Sequence, residues 1–270
     1  MINRRVTRVV LNTTEVTDAL VKPNSTPLTT ALLTTDFLYV GFHGRFASRY
    51  FQVGTVNAVV STLTAQFWDG TNWVAVDDLV DQTSLGGATL AQSGFISWQN
   101  KDNWVQRSIT GIDTDIELYW IRFSVSVNLT GTTSLRSVLN IFSDDAMLTV
   151  YAPELISDAN YLPSGKTNFL DQHVAAKDYV VLRLKTRKAI DDESQVIDIN
   201  NVSMAAVYAC AWLILAPIAT SDASKELRDT MKAAFEEEVS KVTFAVDQNG
   251  DGQVDESERE QVTSFFIERR

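Results

Sequence analysis

Cysteine and histidine are scarce in this chain of 270 residues, which has one cysteine, Cys210, and two histidines, His43 and His173. A single cysteine excludes an intramolecular disulfide and is typical of a protein made in a reducing compartment. The two histidines lie far apart in the sequence, with no Cys or Asp nearby at the spacing of a metal site. We therefore expect both histidines to pack or to lie at the surface.

Motifs for common enzyme chemistry are also missing. The sequence has no phosphate-binding loop, no dinucleotide-binding glycine pattern and no GxSxG nucleophile motif. The acidic pairs Asp77-Asp78 and Asp191-Asp192 are typical of solvated loops. The sequence therefore predicts a protein that is not an enzyme.

Positive charge and long apolar runs are limited as well. The 23 Lys and Arg are outnumbered by 34 Asp and Glu, which gives a net charge of -11. Binding to nucleic acid needs clustered Lys and Arg, so sequence-specific recognition of nucleic acid is not expected. The longest apolar run, 204–218, is interrupted by Pro217 and is shorter than the roughly 20 residues of a membrane span. We expect a protein of the cytoplasm, or of an assembly built there, without a membrane partner.

The first part of the chain is rich in short β-type runs. Runs with β-branched and aromatic residues alternate with turn sequences such as DGTN, GG and TGTT. The runs are DFLYVGF, AVVSTLTAQFW, NWVAV, GFISW, YWIRFSVSV and SVLNIF. In YWIRFSVSV the apolar residues alternate, which predicts a strand with one buried face. Residues 1–153 are therefore predicted to form an antiparallel β-sandwich of jelly-roll or Ig-like type.

The second part has a helical period, and residues 154–270 are predicted to form a helical bundle. One helix is expected to begin near Asn168, which can act as its cap. A second, from Asn201 to Ala216, is apolar nearly all round and should be buried among other helices. A third begins near Ser221 or Ser224. Together the two parts predict an α+β fold, in which the bundle carries an EF-hand-like loop.

That loop is the sequence DQNGDGQVDESE, which occupies positions 247–258. It has oxygen-bearing side chains at loop positions 1, 3, 5, 9 and 12 and a glycine at position 6, as a calcium loop requires. With the backbone carbonyl at position 7, the predicted Ca²⁺ ligands are Asp247, Asn249, Asp251, Gln253, Asp255 and Glu258. The alternative is a hydrophilic turn between two helices. Because no second loop pairs with this one, we expect a structural clamp rather than a calcium sensor.

Tryptophans are concentrated in the β-rich part, where five of the six lie between Trp68 and Trp120. We expect Trp68, Trp98 and Trp120 to fill the sandwich core, because large aromatic side chains dominate core area. In the alternative, the tryptophans form a platform on which sugars stack, with Trp73 and Trp104 as the residues to test.

Both parts of the chain resemble proteins of tailed-phage virions. Similarity to β-sandwich modules of neck and baseplate proteins is carried by TTDFLYVGFHGRFASRYFQVGTVN, AQFWDGTNWVAV, QSGFISWQNKDNW and YWIRFSVS. Similarity to the head–tail connector (adaptor) family is carried by NFLDQHVAAKDYVVLRLKTRKA, NNVSMAAVYACAWLILAPIA and SKELRDTMKAAFEEEVSKV. A typical adaptor is much smaller than this chain and lacks the β part, which leaves the role of the sandwich open.

The resemblance implies a structural virion protein in the neck, at the head–tail junction, assembled in the host cytoplasm. It implies a homo-oligomeric ring, usually of twelve subunits, that contacts the portal protein and the stopper or tail-terminator proteins, with DNA passing through. The expected docking residues are Phe265, Phe266, Arg269 and Arg270, in the C-terminal TSFFIERR, with apolar anchors inside a basic rim. The alternative function is a receptor- or carbohydrate-binding protein of the tail or baseplate.

Overall fold

A computed structural model describes residues 7–110, 116–196 and 198–242. The fold is α+β, with two antiparallel sheets followed by a mostly helical part. The chain divides into two compact units between Asn140 and Ile141. Each unit has a hydrophobic core of its own.

The described residues of the first unit form eleven strands and one short helix, α1 (Thr17–Leu20). In chain order the strands are β1 (Arg8–Leu11), β2 (Thr14–Glu15), β3 (Leu28–Thr29), β4 (Leu38–Phe42), β5 (Ser48–Val53), β6 (Leu63–Trp68), β7 (Trp73–Ala75), β8 (Asp77–Asp81), β9 (Gly94–Gln99), β10 (Tyr119–Val125) and β11 (Ser134–Leu139). The six-stranded sheet has the order β2-β1-β4-β10-β6-β7, and the five-stranded sheet has the order β3-β11-β5-β9-β8. All six runs quoted for the β-rich part contain or overlap one of these strands.

The main core of this unit lies between the two sheets. Val40 of β4 and Phe123 of β10 come from the six-stranded sheet, and Phe51 of β5 and Trp98 of β9 come from the five-stranded sheet. The Phe51 and Phe123 rings meet edge to face, with their centroids 5.4 Å apart. Two sheets that share one core make a sandwich. Its predicted jelly-roll or Ig-like type stays a prediction.

Strand β10 buries more than one face. Ile121, Phe123 and Val125 enter the main core, as the alternation predicts. On the opposite face Trp120 is also fully buried, in a second cluster with Val10 and others. This cluster lies on the outer face of the six-stranded sheet, whereas the sequence predicts Trp120 in the core between the sheets.

The second unit is a helical bundle whose described part includes five helices. These are α2 (Asp145–Tyr151), α3 (Pro153–Ser157), α4 (Leu170–Thr186), α5 (Asn200–Leu215) and α6 (Asp222–Lys241), with short 3-10 turns at Ala159–Tyr161 and Glu193–Gln195. The three long helices lie where the sequence predicts them. The Asn168 side chain accepts the Leu170 N–H at the start of α4, and Ser221 caps α6 in a capping box.

Helix α5 is enclosed because almost every face of it is apolar. It packs against both α4 and α6. Trp212 of α5 joins them, with its ring centroid 5.2 Å from that of Tyr179 on α4 and 6.3 Å from that of Phe235 on α6. The predicted burial of this helix is confirmed.

The division between the units falls before the boundary that the sequence suggested at residue 153. Phe142, Leu148 and Ala152 are buried in the core of the helical unit, so the segment from residue 141 belongs with the helices. No helix in the described part of the chain is long and apolar enough to cross a membrane.

Candidate binding surface

The two sites predicted from the sequence lie outside the described residues. This applies to the calcium-type loop at positions 247–258 and to the docking residues Phe265, Phe266, Arg269 and Arg270. Within residues 7–110, 116–196 and 198–242, no group of three or more His, Cys, Asp or Glu is placed to hold a metal ion. The candidate surface therefore comes from other residues.

The tryptophans separate into two groups. Trp98 and Trp104 lie in the main core, where Trp104 is only 2% exposed, and Trp120 fills the second cluster. The prediction that Trp98 fills the sandwich core is confirmed. It is wrong for the other two, because Trp120 is buried outside the main core and Trp68 is only half-buried on the outer face beside Trp73. Because Trp104 is enclosed, it cannot stack on a sugar in this fold.

The outer face of the six-stranded sheet carries the candidate surface. Tyr39 on β4 lies between two core residues and so points outward, and the same alternation turns Arg122 on β10 and Gln66 on β6 to that face. Across the strands, the Cα partners of Arg122 are Tyr39 on one side and Gln66 on the other. The β6–β7 pairing sets Trp68 opposite Trp73.

Aromatic rings and hydrogen bonding hold the Arg122 guanidinium in place. Its central carbon lies 4.3 Å from the ring centroid of Phe37 and 4.7 Å from that of Trp73. Its Nε donates to Gln66 Oε1 at 2.7 Å. Cation–π contacts of this kind stabilise by about 0.5–2 kcal/mol each, depending on exposure. The side chain is therefore fixed in place before any partner binds.

Arg107 is held in the same way, over Trp68 at 4.0 Å and over Trp73 at 5.3 Å from the ring centroids. It comes from the segment that covers the second cluster, where its backbone pairs with Leu118 and its carbonyl accepts the Trp120 Nε1–H at 2.8 Å. We call the surface the arginine–aromatic face. Its members are Phe37, Tyr39, Trp68, Trp73, Arg107 and Arg122, and all six are half-buried.

Electrostatics distinguish this surface from an ordinary ion-paired one. Burial lowers the pKa of the Arg122 guanidinium, the Tyr39 hydroxyl opposes that shift, and the charge of Arg107 adds to it. Within the described ranges, neither arginine forms an ion pair. The face therefore presents two mutually repelling cations whose stacking fixes them, and it can bind an anionic group.

A buried hydrogen-bonded network occurs in the helical unit. His173 Nδ1 lies 2.8 Å from Ser143 Oγ, and its Nε2 lies 3.2 Å from an oxygen of Asp145. The same carboxylate accepts the Phe169 N–H at the start of α4. Ser143 and His173 are both fully buried, so in this structure the hydroxyl is closed to a substrate in solution. The network joins α2 to α4, and His173 packs as the sequence predicts.

Two further polar groups are buried beside the network. Asp144 caps α2 by accepting the Met147 N–H at 2.9 Å, and burial raises the pKa of its carboxyl. Burial also raises the pKa of the Cys210 thiol well above its ordinary value, and the charge of Asp145 adds to the shift. A protonated, enclosed thiol is neither a nucleophile nor a metal ligand.

The sequence reasoning missed both arginines of the candidate surface. The alternation in YWIRFSVSV already places Arg122 opposite the core residues, which is a usable signal. No local pattern marks Arg107, because its position depends on the long return of the chain over the sheet. No known family model and no curated protein matches the chain significantly. The resemblance to phage proteins therefore rests on the quoted sequence patterns.

Proposed function

We propose that this chain is a structural protein of a tailed-phage virion, an adaptor that forms a ring in the neck between the portal and the stopper or tail. The observation that carries the proposal is the separate helical unit, which follows a β-sandwich and keeps its own core. Helix α4 of that unit exposes Tyr179 and Leu182, with 39% and 58% of their surface in solvent. Three residues apart on a helix, they share one side.

Such a pair is suited to a contact with a neighbouring subunit. Exposed apolar side chains gain free energy when a partner covers them, at about 25 cal/mol per Å² of apolar area removed from water. Contacts of this kind, repeated around a closed ring, need no cofactor. The portal protein on one side and the stopper or tail-terminator on the other are the partners of this proposal, with DNA passing through the ring.

Calcium has a structural role in the proposal. Asp247, Asn249, Asp251, Asp255 and Glu258, with the Gln253 carbonyl, hold one Ca²⁺. Four carboxylates crowded into one loop repel each other without a cation, so the metal would order the segment that follows α6. The C-terminal residues Phe265, Phe266, Arg269 and Arg270 then act as the docking segment toward the portal.

The position of the protein in the particle tests the proposal. Gold-labelled antibodies against the chain should mark the vertex beneath the head in electron micrographs of virions. Labelling at the baseplate or fibres would contradict the adaptor role. Ring contacts through α4 are tested by native mass spectrometry of Leu182→Lys, which should lower the oligomer mass. Val150→Lys, a similar change at an exposed position of α2, is the matched control and should leave it unchanged.

A receptor- or carbohydrate-binding role in the tail is the second candidate. It is favoured by the half-buried aromatic rings of Tyr39, Trp68 and Trp73 on one face. Two guanidiniums lie over the Trp73 ring, however, so they occupy part of the surface that a sugar would stack on. A glycan array with the wild type and Trp73→Ala tests this role, and specific hits lost in the variant would support it.

A further inference from the structure

We propose that the arginine–aromatic face binds carboxylates on a neighbouring copy of this chain. The inference rests on the proposed ring and names a contact within it that the β-sandwich makes. The face therefore gives the sandwich a role in assembly.

Within the described residues, the positive charge of this face has no carboxylate partner. Arg107 and Arg122 both lie over the Trp73 ring, within 5.3 Å of its centroid, so their positive charges are close together. The part of the chain that the structure describes supplies no carboxylate to pair with either. A carboxylate from outside would relieve the repulsion and accept charge-assisted hydrogen bonds.

Arg107 also has hydrogen-bond donors that can bind a carboxylate. The rings cover the faces of the guanidiniums, and Nε of Arg107 donates to the Ser108 carbonyl at 3.1 Å. The terminal nitrogens of Arg107 donate to no acceptor within the described residues. These nitrogens form the edge that binds a carboxylate with two parallel hydrogen bonds. Because stacking has already fixed the side chain, little rotamer entropy is lost on binding.

The composition of the face favours a protein as the partner. Trp, Tyr and Arg are the residues that dominate protein–protein binding energy, and they make up most of this face. A sugar would need open ring surface, which the guanidiniums partly cover at Trp73. The geometry therefore favours a protein surface that carries Asp or Glu.

The net charge of the chain favours a second copy of it as the partner. The chain has 34 acidic and 23 basic residues, so its net charge of -11 is complementary to a cationic face. Two such faces brought together would oppose arginine to arginine. The contact is therefore heterologous, with the face of one copy against a different, acidic surface of the next. Repetition of a heterologous contact closes a ring or extends a filament.

Assembly of the purified full chain tests the inference. Native mass spectrometry and light scattering should show oligomers that dissociate as NaCl rises, because the contact is ionic. Arg107→Gln with Arg122→Gln should raise the concentration of half-assembly by roughly tenfold or more. The control is Arg8→Gln, which removes a half-buried arginine of the same sheet that is paired with Glu15, and it should assemble like the wild type.

A cross-linking experiment distinguishes the loss of a direct contact between copies from a loss of folding stability. Arg107→Lys keeps the charge and introduces an amine that a carbodiimide couples to a touching carboxylate. In a mixture of ¹⁴N- and ¹⁵N-labelled copies, the lysine introduced at position 107 should cross-link to Asp or Glu of a differently labelled copy. Tryptophan fluorescence verifies that the variant is folded. Cross-links found only within one copy would overturn the inference.

Other outcomes separate this inference from the proposed function. If antibodies label the neck and the double arginine variant assembles like the wild type, the adaptor role is kept and the arginine contact is overturned. If the oligomers are salt-sensitive and cross-linked between copies but antibodies label the baseplate, the contact is supported and the adaptor role is overturned. Binding of acidic glycans that the double variant loses, without any change in assembly, overturns the inference in favour of the second candidate.

Discussion

Gly41 is a position in the β-sandwich where a single methyl group should have a large effect. It lies on β4 directly across from Trp120 of β10, and the indole ring lies over it. A Cβ added at Gly41 would meet two ring carbons of Trp120 at 2.6 Å, whereas ordinary contacts begin at 3.4 Å. The ring would have to move by roughly 0.8 Å, the difference between those two distances. It is fully buried, and its Nε1 is fixed to the Arg107 carbonyl, so the movement is opposed.

The expected cost of Gly41→Ala follows from this geometry. Overpacking of a well-packed site costs about 1–3 kcal/mol. With an unfolding entropy of roughly 2.1 cal/mol/K per residue over about 140 residues, a loss of about 2 kcal/mol lowers Tm by roughly 7 °C. The shift should appear in the sandwich transition alone, since the helical unit has a separate core.

Thermal unfolding monitored by tryptophan fluorescence measures the effect, because five of the six tryptophans lie in the sandwich. Gly131→Ala is the matched control, because a Cβ there meets nothing within 4 Å. In a Trp120→Leu background, the cost of Gly41→Ala should fall below about 0.5 kcal/mol, since the opposing ring is gone. Equal Tm values for the Gly41 and Gly131 variants would refute the reasoning.

Two further predictions concern a buried carboxylate and the calcium-type loop. Asp144→Asn, which keeps an N-cap, should leave the helical unit at least as stable as the wild type at pH 7, whereas Asp144→Ala should lose about 1 kcal/mol because the Met147 N–H loses its acceptor. Denaturant titrations between pH 3.5 and 7 measure both. Calorimetry should detect Ca²⁺ binding that Asp247→Ala and Glu258→Ala each abolish, and free Ca²⁺ at a hundred times Kd should stabilise the fold by about 2.7 kcal/mol.

The sign of the Asp144 effect follows from burial. Because burial raises the pKa of this carboxyl above its ordinary value of 3.8, the folded state binds the proton more tightly than the unfolded state. Its contribution to stability is present below 3.8 and is lost as the pH rises through the raised folded pKa. Asn has no such loss, so equal instability of the Asn and Ala variants would contradict this account. Absence of Ca²⁺ binding in both the free chain and the assembled ring would leave the loop a hydrophilic turn.

Much of the fold follows from local sequence patterns. The period-2 run of β10 predicts a strand with one buried side, and the long apolar stretch of α5 predicts a helix enclosed on almost every side. The predicted position of Trp120 was wrong because a second layer of chain covers the outer face of the six-stranded sheet. Trp120 faces away from the main core and is buried all the same, because the segment with Ile109 and Leu118 folds over it.

The candidate surface could be predicted only in part. Arg122 and Tyr39 turn outward by simple alternation, but their contact with Trp73 depends on which strands are neighbours in the sheet. Strand order comes from long-range pairing, which a local pattern does not contain. The network of Ser143 and His173, separated by 30 positions, is hidden for the same reason.

The enclosure of α5 also has a consequence for synthesis of the chain. A ribosome releases α5 after α4 but before α6, so the side of α5 that α6 covers stays open until Lys241 has emerged. The 26 positions between the end of α5 and the end of α6 take about 1–5 s at typical elongation rates. During that interval the nascent chain exposes an apolar helix that chaperones such as those at the exit tunnel can bind, whereas all strands of the sandwich have already been translated.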